Sequence, residues 1–321
     1  MTLHQILTCF LYAIKGSSLK SMAQQLKISD YHSLIAFFHQ TWEPQQLLKQ
    51  ASDQLLNLQS GYFALDEIVL EKHSAGKFWL VKHRYKSDGG YITPAISVVL
   101  LVWTNGLIRV PIRFELRRPG EGSVKDSAMR LLSWARNQAH LKPQYVLFEL
   151  CPYGYAGFAS QELLKRIDDY GWMFVCRITK TRLFNDVPMW RYKKQGYWNE
   201  VGLLSSGLKV RAIRRANKFF ITNRVMIAAN QVVAIYGKRH VIEEIFRILK
   251  QECHWDRCQL RCAEAYERFL SVGCLSFVKW ESLRLSHFGF STIYKLRRSV
   301  MFDQVKLDFS LPDSISVEVK L

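Results

Sequence analysis

The sequence lacks the features that are typical of a membrane-spanning protein, of a secreted protein and of a protein with a structural metal site. Its longest apolar stretch, Ala95 to Trp103 with Ser97 interrupting it, is far shorter than the roughly 20 residues of a membrane-spanning helix. The N-terminus has no cationic start before its apolar residues and no small-residue cleavage pattern after them. We therefore expect a cytoplasmic protein without a membrane partner.

Paired metal-binding cysteines are also missing, since the seven cysteines form no CxxC pair. The nearest approach to a metal cluster is Cys253, His254, Cys258 and Cys262, whose spacing does not match that of zinc ligands. Buried, reduced thiols are the simpler interpretation.

Acidic residues are few: 27 Asp and Glu stand against 45 Lys and Arg, which leaves a formal net charge of +18. Such an excess favours binding to a polyanion, and nucleic acid is the leading candidate. With 49% hydrophobic and 13% aromatic residues, an intrinsically disordered chain is excluded. The composition predicts one or two packed domains.

The first 60 residues have a helical pattern. Leu19, Met22 and Leu26 recur at three- and four-residue steps, and a second helix is predicted at about Tyr31 to Gln40 after Lys27-Ile28-Ser29. Two short helices joined in this way are typical of a helix-turn-helix that reads a major groove. A small helical bundle would give the same spacing, so both interpretations stay open.

From Gly61 the pattern changes to strands, then to strands alternating with helices. This order predicts a mixed α/β sheet. The predicted strands are Tyr62 to Leu70, Lys77 to Lys86, Tyr91 to Thr104, Leu107 to Leu116, Tyr145 to Leu150 and Trp172 to Ile178; the predicted helices are Lys125 to His140 and Ser160 to Asp169.

Residues 177–218 concentrate the basic charge, with eleven Lys and Arg against two acidic residues and several interspersed aromatic side chains. This composition is typical of a β insertion whose basic face follows a phosphate backbone. A solvated basic sheet edge is the alternative. The candidate DNA-binding residues here are Arg191, Lys193, Lys194, Arg211, Arg214 and Arg215.

Residues 235–250 predict one helix with a single polar stripe. At 100° per residue, the polar members of this stripe fall within about 80° of one another, and the apolar residues occupy the other side. The members are Tyr236, Arg239, Glu243, Arg247 and Lys250. A solvated face held by i,i+4 ion pairs would share this spacing.

Tyr236, Arg239, Glu243 and Lys250 resemble the Y-R-E-K signature of bacterial insertion-sequence DDE transposases. The resemblance implies a ribonuclease H-like domain in which Glu243 is the third metal-binding carboxylate, while the tyrosine, arginine and lysine contact phosphates of the transposon end. It further implies two Mg²⁺ (or Mn²⁺) ions, double-stranded DNA partners (transposon ends and target DNA), a homodimer in a synaptic complex and association with the bacterial nucleoid.

The same resemblance places the other two metal-binding acids at the ends of two strands. At both positions this sequence has Glu where the family has Asp. In Ala64 to Val69 the family register selects Glu67, with Asp66 as the alternative one residue away. Because neighbouring strand side chains point to opposite faces, only one of the two can face the site. In the second strand, Val146-Leu147-Phe148 leads into Glu149.

The resulting prediction is an α/β, ribonuclease H-like mixed sheet with flanking helices, an N-terminal helical region and a β-rich insertion. Its expected function is that of an insertion-sequence transposase that cleaves DNA and transfers strands. A catalytically degenerate DNA-binding protein or regulator is the main alternative, and a structure-selective nuclease is a third. The predicted regions are a DNA-binding region (1–60), two parts of a catalytic domain (61–176 and 234–290), a basic β insertion (177–233) and a C-terminal tail of turns and short strands (291–321).

Overall fold

A computed structural model describes residues 1–25, 31–56, 61–73, 78–86, 90–149, 160–192, 197–286 and 291–301. The predicted turn at Lys27-Ile28-Ser29 and the whole stretch from Leu150 to Gly157 lie outside these ranges, as do Lys193 and Lys194. Within them the α-helices are α1 (Leu3–Tyr12), α2 (Leu19–Gln25), α3 (Tyr31–His39), α4 (Pro44–Asp53), α5 (Val124–Asn137), α6 (Gln161–Asp169), α7 (Ala229–Gly237), α8 (His240–Gln251), α9 (Ala263–Ser286) and α10 (Ile293–Met301).

The strands follow the predicted positions closely, except that the second begins only at Lys82. They are β1 (Tyr62–Glu71), β2 (Lys82–Lys86), β3 (Tyr91–Thr104), β4 (Arg109–Leu116), β5 (Tyr145–Glu149), β6 (Met173–Ile178), β7 (Leu183–Phe184), β8 (Val187–Pro188), β9 (Tyr197–Leu203), β10 (Lys209–Arg215) and β11 (Lys218–Thr222).

The central sheet is mixed, as the alternation of strands and helices predicts. Strand β1 runs antiparallel to β3 and parallel to β5, and β5 runs parallel to β6. Strands β2 and β4 pair with successive parts of β3. Beyond β6, the antiparallel strands β11, β10 and β9 continue the same sheet. The strands predicted as a β insertion therefore extend the central sheet.

Strand β5 is buried on both faces, which is why its sequence is continuously apolar up to Glu149. Tyr145 and Leu147 pack with Val232 of α7 in one hydrophobic cluster. Val146 and Phe148 belong to the larger core on the other side. Helices α5 and α6 pack with β3, β4 and β6, whereas α8 packs on β1 and β4. The predicted α/β fold with flanking helices is confirmed.

The N-terminal helices pack into the same hydrophobic core as α9. Phe10 of α1 and Phe38 of α3 contact Phe269 of α9, with ring centroids 5.0 and 5.5 Å apart. The exposed face of α3 carries His32 and His39 but no Lys or Arg. Although α9 runs for 24 residues, no helix in the described ranges combines the length and hydropathy needed to cross a bilayer.

The prediction of one continuous helix over residues 235–250 is wrong, because α7 ends at Gly237 and α8 begins at His240. Between them the backbone tightens: the N–H of Arg239 donates to the carbonyl of Tyr236 (2.9 Å), an i→i+3 bond of 3₁₀ type. Glycine is a poor helix former, which favours the break at this point. Tyr236 and Arg239 thus sit at a joint between two helices.

The last part of the chain also differs from expectation. The sequence predicts turns and short strands for residues 291–321, but Ile293–Met301 forms helix α10. Ile293, Leu296 and Val300 are buried at the three- and four-residue steps of a helix, a period that the short segment made easy to miss. Residues 302–321 lie outside the described ranges.

A buried ion-pair network fixes α9 to the start of β4. Glu281, whose side chain is fully buried, accepts two hydrogen bonds from Arg284 (2.7 and 2.8 Å) and one from the backbone N–H of Arg109 (3.1 Å). The Arg109 guanidinium also pairs with Glu244 of α8. This network links α8 and α9 to the start of β4.

Replacing Glu281 by Ala is expected to lower the free energy of unfolding by about 3 to 5 kcal/mol, because it leaves buried arginine charge without its partner. Urea unfolding followed by circular dichroism measures this change. Glu162→Ala, which removes an exposed partner of Lys125, should leave the unfolding midpoint near that of the wild type. Equal midpoints for both variants would contradict the assigned role of the network.

Candidate functional site

The pairing of the parallel strands β1 and β5 places two acidic side chains on one face of the sheet. Ala64 of β1 pairs with Leu147 of β5, and two residues further along each strand lie Asp66 and Glu149. Residues two apart on a strand share a face. The rings of Tyr62 and Tyr145, earlier in the same row of pairs, stack at 6.0 Å. Asp66 and Glu149 therefore point to the face that α7 covers.

A third carboxylate, Glu243, comes from the first turn of α8, and the three carboxylates meet at Arg239. The Arg239 guanidinium pairs with Asp66, lies 3.4 Å from Glu149 Oε2 and donates to Glu243 Oε1 at 2.8 Å. Only 8% of the Arg239 side chain is exposed. One buried guanidinium thus bridges carboxylates from β1, β5 and α8; we refer to Asp66, Glu149 and Glu243 as the acidic triad.

Glu149 accepts two hydrogen bonds in addition to its ion pair with Arg239. Arg177 of β6 donates to Glu149 Oε1 at 2.6 Å, and the Tyr236 hydroxyl donates to Oε2 at 3.2 Å. The Tyr236 ring packs edge-on against Phe220, 4.9 Å away. Burial, with the charge of Glu149 adding to it, raises the pKa of Tyr236 well above its usual range. The phenol therefore stays protonated and keeps its donor role.

Burial and neighbouring charges shift the pKa values of Asp66 and Arg239. Burial raises the pKa of Asp66 to about 6, although Arg239 and the backbone N–H of Glu67, which donates to Asp66 Oδ1 at 2.9 Å, oppose the shift. Burial alone would lower the pKa of Arg239, but Asp66, Tyr236 and Glu149 raise it and the net shift is upward. The guanidinium is therefore permanently charged, and Asp66 is ionised above about pH 6.

Glu67, the residue selected by the family register, is not brought to this site. Its carboxylate accepts hydrogen bonds from the Ser97 hydroxyl and from Arg117 (3.2 Å) on the other face of the sheet. The physical reason is the strand alternation itself: the pairing of β1 with β5 puts Asp66 on the face of Glu149, so its neighbour points away. The one-residue alternative is the one that lies beside Glu149 and Glu243.

The predicted DNA-binding residues fall into two groups. Arg247, Arg191 and Arg215 are exposed and Lys250 is half-buried. Arg211 and Arg214 instead support the strands: Arg211 donates to the carbonyl of Val225 and to Asn199 (both 2.6 Å), and Arg214 donates to the carbonyls of Ala216 and Tyr192 (both 3.1 Å).

Sequence reasoning missed two residues of the site. On sequence alone, Arg177 is counted in the basic stretch and is not linked to Glu149. The available signal was its position: Arg177 lies on the strand that follows β5, and β5 ends in Glu149. His240 lies with its Nδ1 2.8 Å from Glu243 Oε2 and is largely exposed. Both residues lie against carboxylates that the resemblance had already selected.

The donor set of the triad suits a hard divalent cation, since Mg²⁺ and Mn²⁺ prefer carboxylate oxygens. The guanidinium at its centre shows that the three carboxylates can surround a positive charge. In the described ranges, however, no three His, Cys, Asp or Glu side chains are arranged to hold a metal ion as they stand. This includes the cluster around Cys253, as well as the triad itself.

The fold and the site together define the class: a strongly basic α/β protein in which carboxylates from two neighbouring strands and one helix lie close together. A family model described as the transposase DDE domain matches residues 68–278, and the chain belongs to this family. The transposase family implied by the Y-R-E-K resemblance is thereby confirmed. The matched range contains Glu149 and Glu243 and begins just after Asp66 and Glu67.

Solved structures of transposases are also similar, at low identity. One is the piggyBac transposase synaptic complex with hairpin DNA (11% identity, TM-score 0.49, covering 75% of this chain and 52% of that one). Another is the Mos1 mariner paired-end complex with Mn (15% identity, TM-score 0.21, covering 49% of this chain and 54% of that one). The chain spans about half the length of these structures, and no curated protein matches it.

Proposed function

We propose that this chain is a DNA transposase of an insertion sequence, which binds transposon ends and catalyses metal-dependent DNA cleavage and strand transfer. The observation that carries the proposal is the convergence of Asp66, Glu149 and Glu243 from three separate elements on one cationic group. Membership of a transposase family supports it, as does the net charge of +18. Asp66 takes the place in this proposal that the sequence register gave to Glu67.

In the proposed reaction, Asp66, Glu149 and Glu243 would hold Mg²⁺ or Mn²⁺. Two such ions would supply charge stabilisation for the attacking and leaving oxygens of an in-line displacement at phosphorus. Arg177 and Tyr236 fix the orientation of Glu149, because each donates to a different carboxylate oxygen. Arg239 and Lys250 neutralise phosphate charge, as guanidinium and ammonium groups do in bidentate and single contacts.

The proposed partners are transposon-end and target DNA, bound by a homodimer in a synaptic complex at the nucleoid. The exposed Arg191, Arg215 and Arg247 suit contacts to the phosphate backbone, which supply most of the affinity of such interfaces. We assign DNA binding also to residues 1–60 and to the basic strands of 177–233, with catalysis in 61–176 and 234–290.

The test is cleavage of DNA that carries the native flanks of this gene, with Mn²⁺, at equal DNA occupancy for each variant. We expect the wild type to nick at the flank boundary and Glu243→Ala to bind but not cut. Glu264→Ala, which changes an exposed glutamate of α9 paired with Arg118, should cut like the wild type. Cleavage by Glu243→Ala at the wild-type rate would refute the proposal.

A catalytically degenerate, DNA-binding descendant is the second candidate. Two observations favour it: Glu149 stands where the family has Asp, and a guanidinium lies at the centre of the triad. For such a protein, wild type and Glu243→Ala would bind the flanks equally tightly and neither would cut. The same experiment therefore separates the two candidates.

A further inference from the structure

The acidic triad already contains a cation of its own. Arg239 uses one terminal nitrogen for Asp66 and the other for Glu149 and Glu243. Three carboxylates so close together repel one another strongly unless positive charge lies between them. The guanidinium supplies that charge from within the chain. Any further cation that binds these oxygens has to compete with it.

The hydrogen bonding of Arg239 is incomplete in this arrangement. Its Nε atom is buried, and no acceptor in the described ranges bonds to it. A buried donor without a partner is unfavourable, because it has lost its hydrogen bonds to water without gaining another. The unpartnered Nε therefore offsets part of the stabilisation that the three carboxylates give to the Arg239 side chain in its present position. An anion outside the triad that accepted hydrogen bonds from all of the guanidinium donors would draw the Arg239 side chain away from the triad.

We infer that Arg239 is the internal counter-ion of the acidic triad, so that a divalent cation binds there only when the guanidinium leaves for an external anion such as a DNA phosphate. This inference rests on the proposed function and concerns the same site. Two ligands that compete through one side chain are linked: the phosphate that takes up Arg239 strengthens metal binding, and the metal strengthens phosphate binding to the same degree.

The location of Arg239 makes such an exchange feasible. The side chain leaves the backbone at the joint between α7 and α8, where i→i+3 bonds replace the regular helical ladder. His240, the next residue along the chain, is largely exposed and bonds to Glu243, so the surface that a phosphate would approach adjoins the site. A rotation of one side chain, without movement of the sheet, would open the triad.

The test measures Mn²⁺ binding directly, from the loss of the electron paramagnetic resonance signal of free Mn²⁺, at pH 8 and without DNA. We expect Arg239→Gln to bind Mn²⁺ about 5- to 150-fold more tightly than the wild type, the usual range of coupling between linked ligands. Arg136→Gln removes an exposed arginine from the last turn of α5 and should match the wild type. Adding duplex DNA should tighten Mn²⁺ binding by the wild type more than by Arg239→Gln.

Each other outcome counts against the inference. Equal Mn²⁺ affinity in wild type and Arg239→Gln, with binding lost in Glu243→Gln, would overturn it while leaving the proposed metal site intact. Absence of Mn²⁺ binding in every variant, with or without DNA, would overturn both. If Arg239→Gln does not fold, Arg239→Lys replaces it. A lysine carries its charge on a single nitrogen and lacks the two-nitrogen fork that reaches Asp66 on one side and Glu149 and Glu243 on the other, so Mn²⁺ affinity should still rise, and no rise would refute the inference.

Discussion

Asp66→Asn is expected to lower the rate of Mn²⁺-dependent cleavage by about a thousandfold or more, since metal-based charge stabilisation contributes several kcal/mol and each 1.36 kcal/mol is a factor of ten. The substitution keeps the shape of the side chain and removes its charge. The expected result follows from position: Asp66 shares a sheet face with Glu149 and shares Arg239 with Glu149 and Glu243. The measurement is the single-turnover rate on end DNA at saturating Mn²⁺.

Glu67→Gln is the matched control, because it makes the same chemical change one residue further along β1. Glu67 faces Ser97 and Arg117 on the other side of the sheet, so its loss should change the cleavage rate by less than about threefold, within the small effects usual away from a site. If Glu67→Gln loses activity and Asp66→Asn keeps it, the assignment of the two acids is the wrong way round.

This pair of residues also marks where sequence reasoning reaches its limit. Apolar periodicity located β1 and β5 to within a residue or two, and the strand ends drew attention to Asp66, Glu67 and Glu149. Which neighbour faces the site depends on how β1 pairs with a strand about 80 residues away, as in the pairing of Ala64 with Leu147. Nothing local in the sequence encodes that register, so both alternatives were open.

The Y-R-E-K stretch shows a different limit. A helical wheel correctly grouped Tyr236, Arg239 and Glu243, but it treated them as one face of one helix. In the structure Gly237 closes α7, and Arg239 reaches the strands while Tyr236 reaches Glu149 from the preceding helix. The glycine was a visible signal for the break. The contact between Arg239 and Asp66, 173 residues apart, was not, because it depends on tertiary packing.

The family resemblance implies Asp at position 149, where this sequence has Glu. The contacts of the longer Glu149 side chain bear on whether this difference abolishes the proposed DNA cleavage. Its two oxygens are engaged separately, Oε1 by Arg177 at 2.6 Å and Oε2 by Tyr236 at 3.2 Å and Arg239 at 3.4 Å. All three partners are placed for the longer side chain. A carboxylate that had merely drifted from Asp to Glu would not require a matched set of donors, so the geometry favours Glu149 as an adapted member of the triad.

Glu149→Asp is accordingly expected to lower cleavage by about a hundredfold, because removing one methylene withdraws the carboxylate by about 1 Å from its donors and its metal position. Glu115→Asp is the control: Glu115 is also a strand glutamate, it is equally exposed at 21%, and it binds Arg130 at 2.7 Å away from the triad. Cleavage assays with Mn²⁺ measure both. Faster cleavage by Glu149→Asp than by the wild type would mean that the glutamate is a degenerate replacement, and would favour the DNA-binding descendant over the active transposase.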